Sequence, residues 1–233
     1  MKPYNNEKCI ISLTSWVKRI SKIGPTLFSL VRQGNDYHIV LVLTKKEFPN
    51  LENDLPDEIK LFVDNDLIEI LWLDDDYKVF MKSYFTMDKY RNVPVISADD
   101  DVIYQQGYAE KLYQKWTENK DCVISNGCEW YAPYIVSRGQ NTLMTYDIMK
   151  DAISILKKAF NTDDKELLTK HPEDDAYNAA FYYIFNKKVI SLDLPQLYSY
   201  LQEQNSENAL HNRIRYKGTK SVDIFVEVIK KYV

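Results

Sequence analysis

The stretch Val93–Tyr104 reads VPVISADDDVIY and joins a short apolar run to three consecutive aspartates. Residues Val93–Ala98 are rich in β-branched side chains and predict a buried strand. Asp99–Asp101 follow without any turn residue, at the carboxyl end of a strand, where α/β proteins bind ligands. Three like charges there repel one another unless a cation neutralises them. Because Mg²⁺ and Mn²⁺ prefer such oxygen ligands, we predict a metal site, with a solvated acidic turn as the alternative.

The rest of the chain alternates between predicted strands and predicted helices. The further strands are Cys9–Thr14, His38–Thr44, Ile68–Leu73, Cys122–Ser125 and Val189–Leu192. The helices are Thr26–Gln33, Lys78–Tyr90, Tyr108–Asn119, Asp147–Phe160, Glu173–Phe185 and Val222–Tyr232. We interpret Phe48–Asp57 and the aromatic stretch Trp130–Tyr134 as loops. This order predicts an α/β fold, with a mostly parallel central sheet flanked by helices. No repeat or linker divides residues 1–233, so we expect a single domain.

Composition excludes several classes of protein. The 233 residues include 30 Lys and Arg against 34 Asp and Glu, and a net charge of −4 argues against nucleic acid as a partner. No apolar run approaches the roughly 18 residues of a membrane span, and the polar start is unlike a secretory signal. Three cysteines without a CxxC pair favour a reducing cytoplasm. The six glycines form neither GxGxxG nor a P-loop, which excludes both phosphate-binding fingerprints.

Two further acidic clusters follow predicted elements. Asp74–Asp76 closes the strand Ile68–Leu73 and either faces the same cleft or lies in an exposed loop. Pro172 and the acids Glu173–Asp175 begin a helix, and the helix dipole alone favours acids there. The functional hypothesis is that Asp174 removes a proton from an acceptor hydroxyl as a general base, with Glu173 or Asp175 holding the acceptor. The choice among the three stays open.

Several of these segments resemble one family. Ile10–Ile20, IISLTSWVKRI, resembles the opening strand and loop of bacterial GT-A glycosyltransferases, the family-2-like, nucleotide-sugar-dependent type of polysaccharide gene clusters. Ser97–Tyr104 resembles their DxD segment, and Glu173–Asp175 resembles their later ED motif. Lys82 falls where that family often has a lysine ahead of the DxD strand. The resemblance covers roughly residues 8–190 and implies one GT-A (Rossmann-like) domain.

The resemblance also implies roles for individual residues. Asp99 would lie near the donor ribose and, with Asp101, ligate Mn²⁺ or Mg²⁺ on the donor diphosphate. Thr14, Ser15 and Arg19 would line the nucleotide base pocket. The full set expected to bind the donor is Thr14, Ser15, Arg19, Asp74, Lys82, Asp99 and Asp100. The aromatic side chains expected on the acceptor side are Trp130, Tyr131 and Tyr134.

Different segments of the domain would have different functions. Residues 1–104 would form the nucleotide-binding half, residues 105–200 the acceptor-side half, and residues 201–233 a C-terminal lid or tail. Within that tail Glu203–Thr219 is polar and carries cations, so we hypothesise that it closes over the donor diphosphate. His211, in the same segment, is a candidate metal ligand.

The predicted function is metal-dependent transfer of a sugar from a nucleoside-diphosphate sugar, with UDP as the predicted nucleoside diphosphate. The acceptor would be a glycan or a lipid-linked saccharide, and a lipid-linked one would bring the protein to the inner membrane face. Inversion is expected, because Asp174 can serve as a base and no obvious nucleophile is present. The alternatives are a non-catalytic carbohydrate- or metal-binding module and a nucleotidyltransferase, although the glycine-rich loop of the latter is missing.

Overall fold

The computed structural model describes residues 4–138, 141–192, 198–200 and 219–233. His211 and the segment 203–218, which is nearly all of the predicted lid, lie outside the described residues. Cys9, Cys122 and Cys128 are free thiols. No helix in the described ranges is both long enough and apolar enough to span a membrane.

The described residues form strands and helices in alternation. The strands are β1 Cys9–Thr14, β2 Tyr37–Thr44, β3 Glu69–Leu73, β4 Val95–Ser97, β5 Val102–Tyr104, β6 Val123–Ser125, β7 Cys128–Tyr131, β8 Tyr134–Ser137, β9 Thr142–Met144, β10 Val189–Ser191 and β11 Tyr198–Tyr200. The helices are α1 Gly24–Val31, α2 Asp57–Asp64, α3 Met81–Lys89, α4 Tyr108–Glu118, α5 Tyr146–Ala159, α6 Asp164–Lys170, α7 Asp174–Ile184 and α8 Thr219–Lys230.

Seven of these strands form the central sheet, in the order β10-β6-β9-β4-β1-β2-β3. All pairs are parallel except those of β9, which runs antiparallel to both β4 and β6. β1 and β2 are apolar along nearly their whole length because helices cover both faces of a parallel sheet. The prediction of an α/β fold with a mostly parallel central sheet is confirmed.

The helices form two layers around that sheet. Side chains of α3, α5, α7 and α8 make one apolar cluster on the first face, among them Tyr84 and Phe225. Side chains of α1, α2 and α4 make a second cluster on the other face, among them Leu27 and Leu112. Residues 219–233, expected in the lid or tail, therefore include a helix that packs into the core.

The register brings three loops to one edge of the sheet. Ser12 of β1 pairs with Ser97 of β4, and Ser97 and Ser125 both pair with Thr142 of β9. Strands β1, β4 and β6 therefore end at the same level, with β9 between the last two. The loops that follow them leave from this carboxyl edge, where ligands bind in α/β folds.

One of the two loop predictions is wrong. Residues Trp130–Tyr134 are not a loop but the centre of a β-hairpin, in which β7 and β8 pair from Cys128↔Ser137 to Tyr131↔Tyr134. The peptide between Ala132 and Pro133, in its turn, is cis. Aromatic and β-branched side chains fit paired strands, and this outweighs the turn signal of the proline. The predicted loop before Asp57 contains a 3-10 turn at Leu51–Asp54 and ends where α2 begins.

Candidate active site

The three aspartates lie in a hydrogen-bonded turn between β4 and β5. Asp100 and Asp101 are each only 7% exposed. The hydroxyl of Thr26 donates to the carbonyl oxygen of Asp100 at 3.0 Å, and the amide of Asp99 donates to the hydroxyl oxygen of Tyr104 at 2.8 Å. A solvated acidic turn would be exposed and free of such contacts, so this alternative does not describe Asp99–Asp101.

The loop after β1 supplies the groups that hold two of these carboxylates. The hydroxyl of Ser15 donates to Oδ2 of Asp100 at 2.6 Å. Arg19 Nη1 donates to Oδ1 of Asp100 at 2.7 Å and to Oδ2 of Asp101 at 3.2 Å. Burial lowers the pKa of Arg19, but the nearby carboxylates outweigh it and the net shift is upward. Thr14 ends β1, where its hydroxyl donates to the carbonyl oxygen of Val42 at 2.8 Å.

Burial and mutual repulsion disfavour the ionised forms of two carboxylates in this turn. Burial, followed by repulsion from Asp99 and Asp100, raises the pKa of Asp101 to about 6. The pKa of Asp100 is also raised, chiefly by burial, although Arg19 and Ser15 act in the opposite direction. A buried carboxylate whose ionised form is disfavoured at a strand end is typical of a functional site.

The predicted metal ligands fit a divalent cation held jointly by protein and substrate. Within the described part of the chain, no three His, Cys, Asp or Glu side chains are grouped closely enough to enclose a metal ion. Mg²⁺ and Mn²⁺ at nucleotide sites need only one or two carboxylates, because phosphate oxygens complete the coordination. Asp99 and Asp101 would supply those carboxylates, and burial together with repulsion from Asp99 and Asp100 raises the pKa of Asp101, a repulsion that a cation would relieve.

Lys82 connects the aspartate turn to the predicted base. Its Nζ lies 2.7 Å from Oδ1 of Asp99 and 2.9 Å from Oδ2 of Asp174, and the residue is 5% exposed. Burial alone would lower the pKa of Lys82, but Asp174 and Asp99 raise it well above its ordinary value. Lys82 is therefore a buried ammonium shared by two carboxylates. The sequence pattern placed this lysine near the donor diphosphate and gave no sign of the contact with Asp174.

The first turn of α7 carries the remaining catalytic candidates. Glu173 is the N-cap residue, and its side chain makes no capping hydrogen bond. Its Oε1 atom is buried and has no hydrogen-bond partner. Asp174 has a side chain 13% exposed, and Asp175 follows it in the same turn. The structure thus brings Asp174 to Asp99, as the predicted site requires.

Asp74 lies apart from this cluster. Its side chain is 85% exposed and pairs with Lys45 Nζ at 2.8 Å. It follows β3, the edge strand, which is three strands away from β4 in the sheet. That separation corresponds to about 14 Å. The structure does not place Asp74 in contact with the three aspartates.

The predicted acceptor residues differ in their surroundings. Trp130 is 69% exposed and Tyr131 is 37% exposed, both on β7. Tyr134 is only 7% exposed, its hydroxyl donates to Oδ1 of Asp223 at 2.6 Å, and burial raises its pKa to about 12. Tyr134 therefore joins the hairpin to α8, whereas solvent reaches the rings of Trp130 and, to a lesser extent, Tyr131.

Sequence reasoning missed three residues near the site. Thr26 and Tyr104 fix the aspartate turn, and Tyr183 adds a half-exposed ring 5.1 Å from that of Tyr134. A threonine directly after the Gly-Pro helix start was a usable signal for Thr26. Tyr104 and Tyr183 belong to a chain with 18 tyrosines, in which composition does not single out any one of them.

Comparison with solved structures assigns the fold. A mannosyltransferase from Pyrobaculum calidifontis, solved with GDP-Man and Mn²⁺, superposes with a TM-score of 0.54 at 10% identity, over 84% of this chain and 57% of that protein. S. aureus TarS, residues 1–349, superposes with a TM-score of 0.51 at 11% identity, over 97% of this chain and 72% of that one. No protein-family model matches the sequence, and neither does any curated protein. The chain has the GT-A fold of nucleotide-sugar-dependent glycosyltransferases, and it spans less than two thirds of the mannosyltransferase.

Proposed function

We propose that this protein is a metal-dependent glycosyltransferase that moves a sugar from a nucleoside-diphosphate sugar to a glycan or a lipid-linked saccharide. The observation that carries the proposal is the convergence of two acidic motifs on one lysine. Asp99, in the predicted donor motif, and Asp174, at the start of α7, both lie within 3 Å of Lys82 Nζ. This contact supports a donor site and a base that would be adjacent at the carboxyl edge of the sheet, as sugar transfer requires.

On the donor side, the loop after β1 and the aspartate turn would hold the nucleotide. Ser15 and Arg19 contact Asp100 of that turn, and both residues, with Thr14 and Asp100, would contact the base and ribose. Asp99 and Asp101 would hold Mn²⁺ or Mg²⁺, which would neutralise charge on the diphosphate leaving group. The mannosyltransferase of similar fold was solved with GDP-Man and Mn²⁺, and we predict UDP as the nucleotide here.

On the acceptor side, Asp174 would act as the general base. An acceptor hydroxyl oxygen bonds to the anomeric carbon as the bond from that carbon to the diphosphate oxygen breaks. The hydroxyl proton passes to the Asp174 carboxylate, and the diphosphate leaves with the bonding electron pair. Attack from the face opposite the leaving group inverts the anomeric centre. Glu173 and Asp175, the neighbours of Asp174, would hold the acceptor.

The exposed aromatic rings of the hairpin would extend the acceptor site. The hairpin follows β6 at the same sheet edge as the aspartate turn, and Trp130 and Tyr131 present rings to solvent. Aromatic rings with a polar edge suit the mixed apolar and hydroxyl surface of a sugar. We further propose that transfer takes place in the cytoplasm, and at the inner membrane face where the acceptor is lipid-linked.

The substitution Asp174→Asn tests the proposal. We expect wild-type protein with Mn²⁺ to hydrolyse at least one nucleotide-sugar from a panel of UDP-, GDP- and dTDP-sugars, because water can replace the acceptor. Asp174→Asn keeps the shape of the side chain but cannot accept the proton. It should lower kcat by about a hundredfold and leave the affinity for the nucleoside diphosphate within about threefold.

Asp164→Asn is the matched control. Asp164 also begins a helix, is also 13% exposed and also pairs with a lysine, Lys231, but it lies on α6. The variant Asp164→Asn should therefore leave kcat unchanged. Equal loss in both variants, or no loss in Asp174→Asn, contradicts the assignment of the base.

The exposed ring of Trp130 also favours a second candidate, a carbohydrate-binding module without catalysis. Such a module would bind a saccharide but neither a nucleoside diphosphate nor a nucleotide-sugar. Titration of UDP, GDP and dTDP in the presence of Mn²⁺ separates the two functions, because only the transferase has reason to bind them.

A further inference from the structure

The position of Lys82 suggests a role different from that of a phosphate ligand. Its Nζ is enclosed by Asp99 and Asp174, and its side chain is 6% exposed. Its carbonyl oxygen accepts a hydrogen bond from the hydroxyl of Ser12, which also bonds Thr86 at 2.7 Å. The start of α3 is therefore fixed to β1, and the ammonium is directed at the two carboxylates.

We propose that Lys82 is a positioning residue, whose ammonium keeps the carboxylate of the base Asp174 next to Asp99 of the donor motif. This inference rests on the proposed function. Asp174 lies on α7 and Asp99 follows β4, so no local structure keeps the two side chains together. Two carboxylates on one buried nitrogen repel each other once the ammonium is removed. The first turn of α7 would then move away from the donor, and the Asp174 carboxylate would no longer lie where it can take the proton of the acceptor hydroxyl.

A positioning role and a phosphate-binding role predict different kinetic effects. A lysine that binds the diphosphate contributes to nucleotide affinity, so its loss would weaken nucleoside-diphosphate binding. A lysine that orients the base contributes to the chemical step, since misplacement of a reacting group by about 1 Å can cost a hundredfold in rate. The two roles are therefore separated by comparing nucleotide affinity with kcat.

The experiment uses the full chain and three variants. Lys82→Met keeps the length of the side chain without its charge, and Lys82→Arg keeps the charge. Lys89→Met is the matched control, because Lys89 lies on the same helix and also contacts a buried carboxylate. Its Nζ lies 2.5 Å from the carboxylate of Glu69, which belongs to the edge strand β3 and not to the proposed site. The measurements are calorimetric titration with UDP, GDP and dTDP in Mn²⁺, and hydrolysis of the corresponding nucleotide-sugars.

We expect Lys82→Met to lower the kcat of hydrolysis at least about tenfold, with donor KM and nucleoside-diphosphate affinity within about threefold of wild type. Lys82→Arg should recover part of kcat, and Lys89→Met should change none of these quantities. A nucleotide affinity weakened tenfold with kcat kept would make Lys82 a phosphate ligand and overturn the proposal. Unchanged kinetics in Lys82→Met would also overturn it. Wild-type protein that hydrolyses no nucleotide-sugar contradicts the proposed function itself, and this inference with it.

A double variant covers the case in which Lys82→Met folds but is too unstable for kinetic measurement. Removing the ammonium leaves Asp174 buried without its cation, and Asp174→Asn removes that unpaired charge. The double variant Lys82→Met/Asp174→Asn should therefore melt at a higher temperature than Lys82→Met and bind the nucleoside diphosphate with wild-type affinity. A double variant that melts no higher than Lys82→Met contradicts the inference that Lys82 holds two mutually repelling carboxylates together.

Discussion

Glu69 and Asp101 are both buried carboxylates, but their surroundings shift their pKa values in opposite directions. Glu69, at the start of β3, contacts His38 at 2.6 Å, Lys89 at 2.5 Å and the hydroxyl of Tyr90 at 2.6 Å. Burial raises its pKa, but these partners outweigh burial and lower the pKa to about 2. Burial and like charges instead raise the pKa of Asp101 to about 6. The partners of Glu69 favour its ionised form, whereas burial and like charges disfavour the ionised form of Asp101.

This contrast gives a prediction for the pair of variants Glu69→Gln and Asp101→Asn. At pH 7 Glu69→Gln should lower Tm by several degrees, because it removes the ionised partner of Lys89 and His38. Asp101→Asn should leave Tm equal or raise it, because it removes a repelled charge. Thermal unfolding followed by circular dichroism measures both. A Tm lowered as much by Asp101→Asn as by Glu69→Gln would mean that Asp101 is structural.

The pH dependence of Glu69 has a definite sign. Its pKa is lower in the folded chain than the ordinary value of 4.5, so its contribution to stability is present above about pH 4.5. That contribution is lost as the pH falls toward about 2, where the folded form also binds a proton. The Tm difference between wild type and Glu69→Gln should therefore shrink as the pH falls below 4.5. A difference that stays constant from pH 7 to pH 3 would contradict this account.

At the scale of elements, the hairpin β7–β8 is the part of the structure that faces the proposed acceptor. Gly127, just before it, has a φ of 104°, a conformation that suits glycine and lets the chain leave β6 sharply. β8 packs along α7, whose first turn carries Asp174, and the rings of Tyr134 and Tyr183 meet 5.1 Å apart. The hairpin is thus fixed to the helix that carries the proposed base, while Trp130 stays 69% exposed.

The prediction at this scale is that Trp130→Ala removes saccharide binding. Wild-type protein should bind members of a printed array of bacterial oligosaccharides, and Trp130→Ala should bind them at least about tenfold more weakly, since the ring is the main apolar contact. Phe28→Ala is the control, because Phe28 is 58% exposed on α1, on the other face of the sheet. Equal binding by wild type and Trp130→Ala would show that the ring is not part of the acceptor site.

The elements that sequence patterns predicted are the long, periodic or strongly apolar ones. β1 was predicted with its observed bounds, and β2 and β3 to within one residue at either end. β9 was missed, because its strand identity comes from pairing with β4 and β6. β6 and β10 are equally short, but their apolar β-branched residues marked them as strands. α2 was missed although Ile59 and Val63 are buried at helical spacing, because the sequence analysis assigned no element between the predicted loop Phe48–Asp57 and the strand that begins at Ile68. Short elements depend on tertiary pairing, which local propensity does not contain.

At the scale of the whole molecule, the site is assembled from parts that are distant in the sequence. The loop after β1, the turn after β4, the start of α3 and the start of α7 meet at one edge of the sheet. The sequence predicted Asp99–Asp101 and Asp174 at that edge, because a strand end and the DxD and ED resemblances mark them, but the donor candidate Asp74 lies apart from it. It did not give the contacts of Arg19 with Asp100 and Asp101, or of Lys82 with Asp174. Those contacts depend on how α1, α3 and α7 pack together, and the spacing of residues along the sequence does not indicate that packing.

The central claim is that the aspartate turn binds a nucleoside diphosphate through a divalent cation. Isothermal titration calorimetry of the full chain with UDP, GDP and dTDP, with Mn²⁺ and with EDTA, tests it most directly. We predict binding of at least one nucleotide in Mn²⁺, weakened at least about tenfold by EDTA and by Asp101→Asn, whose fold circular dichroism should show intact. No binding of any of the three nucleotides, or equal affinity of wild type and Asp101→Asn, would contradict the claim.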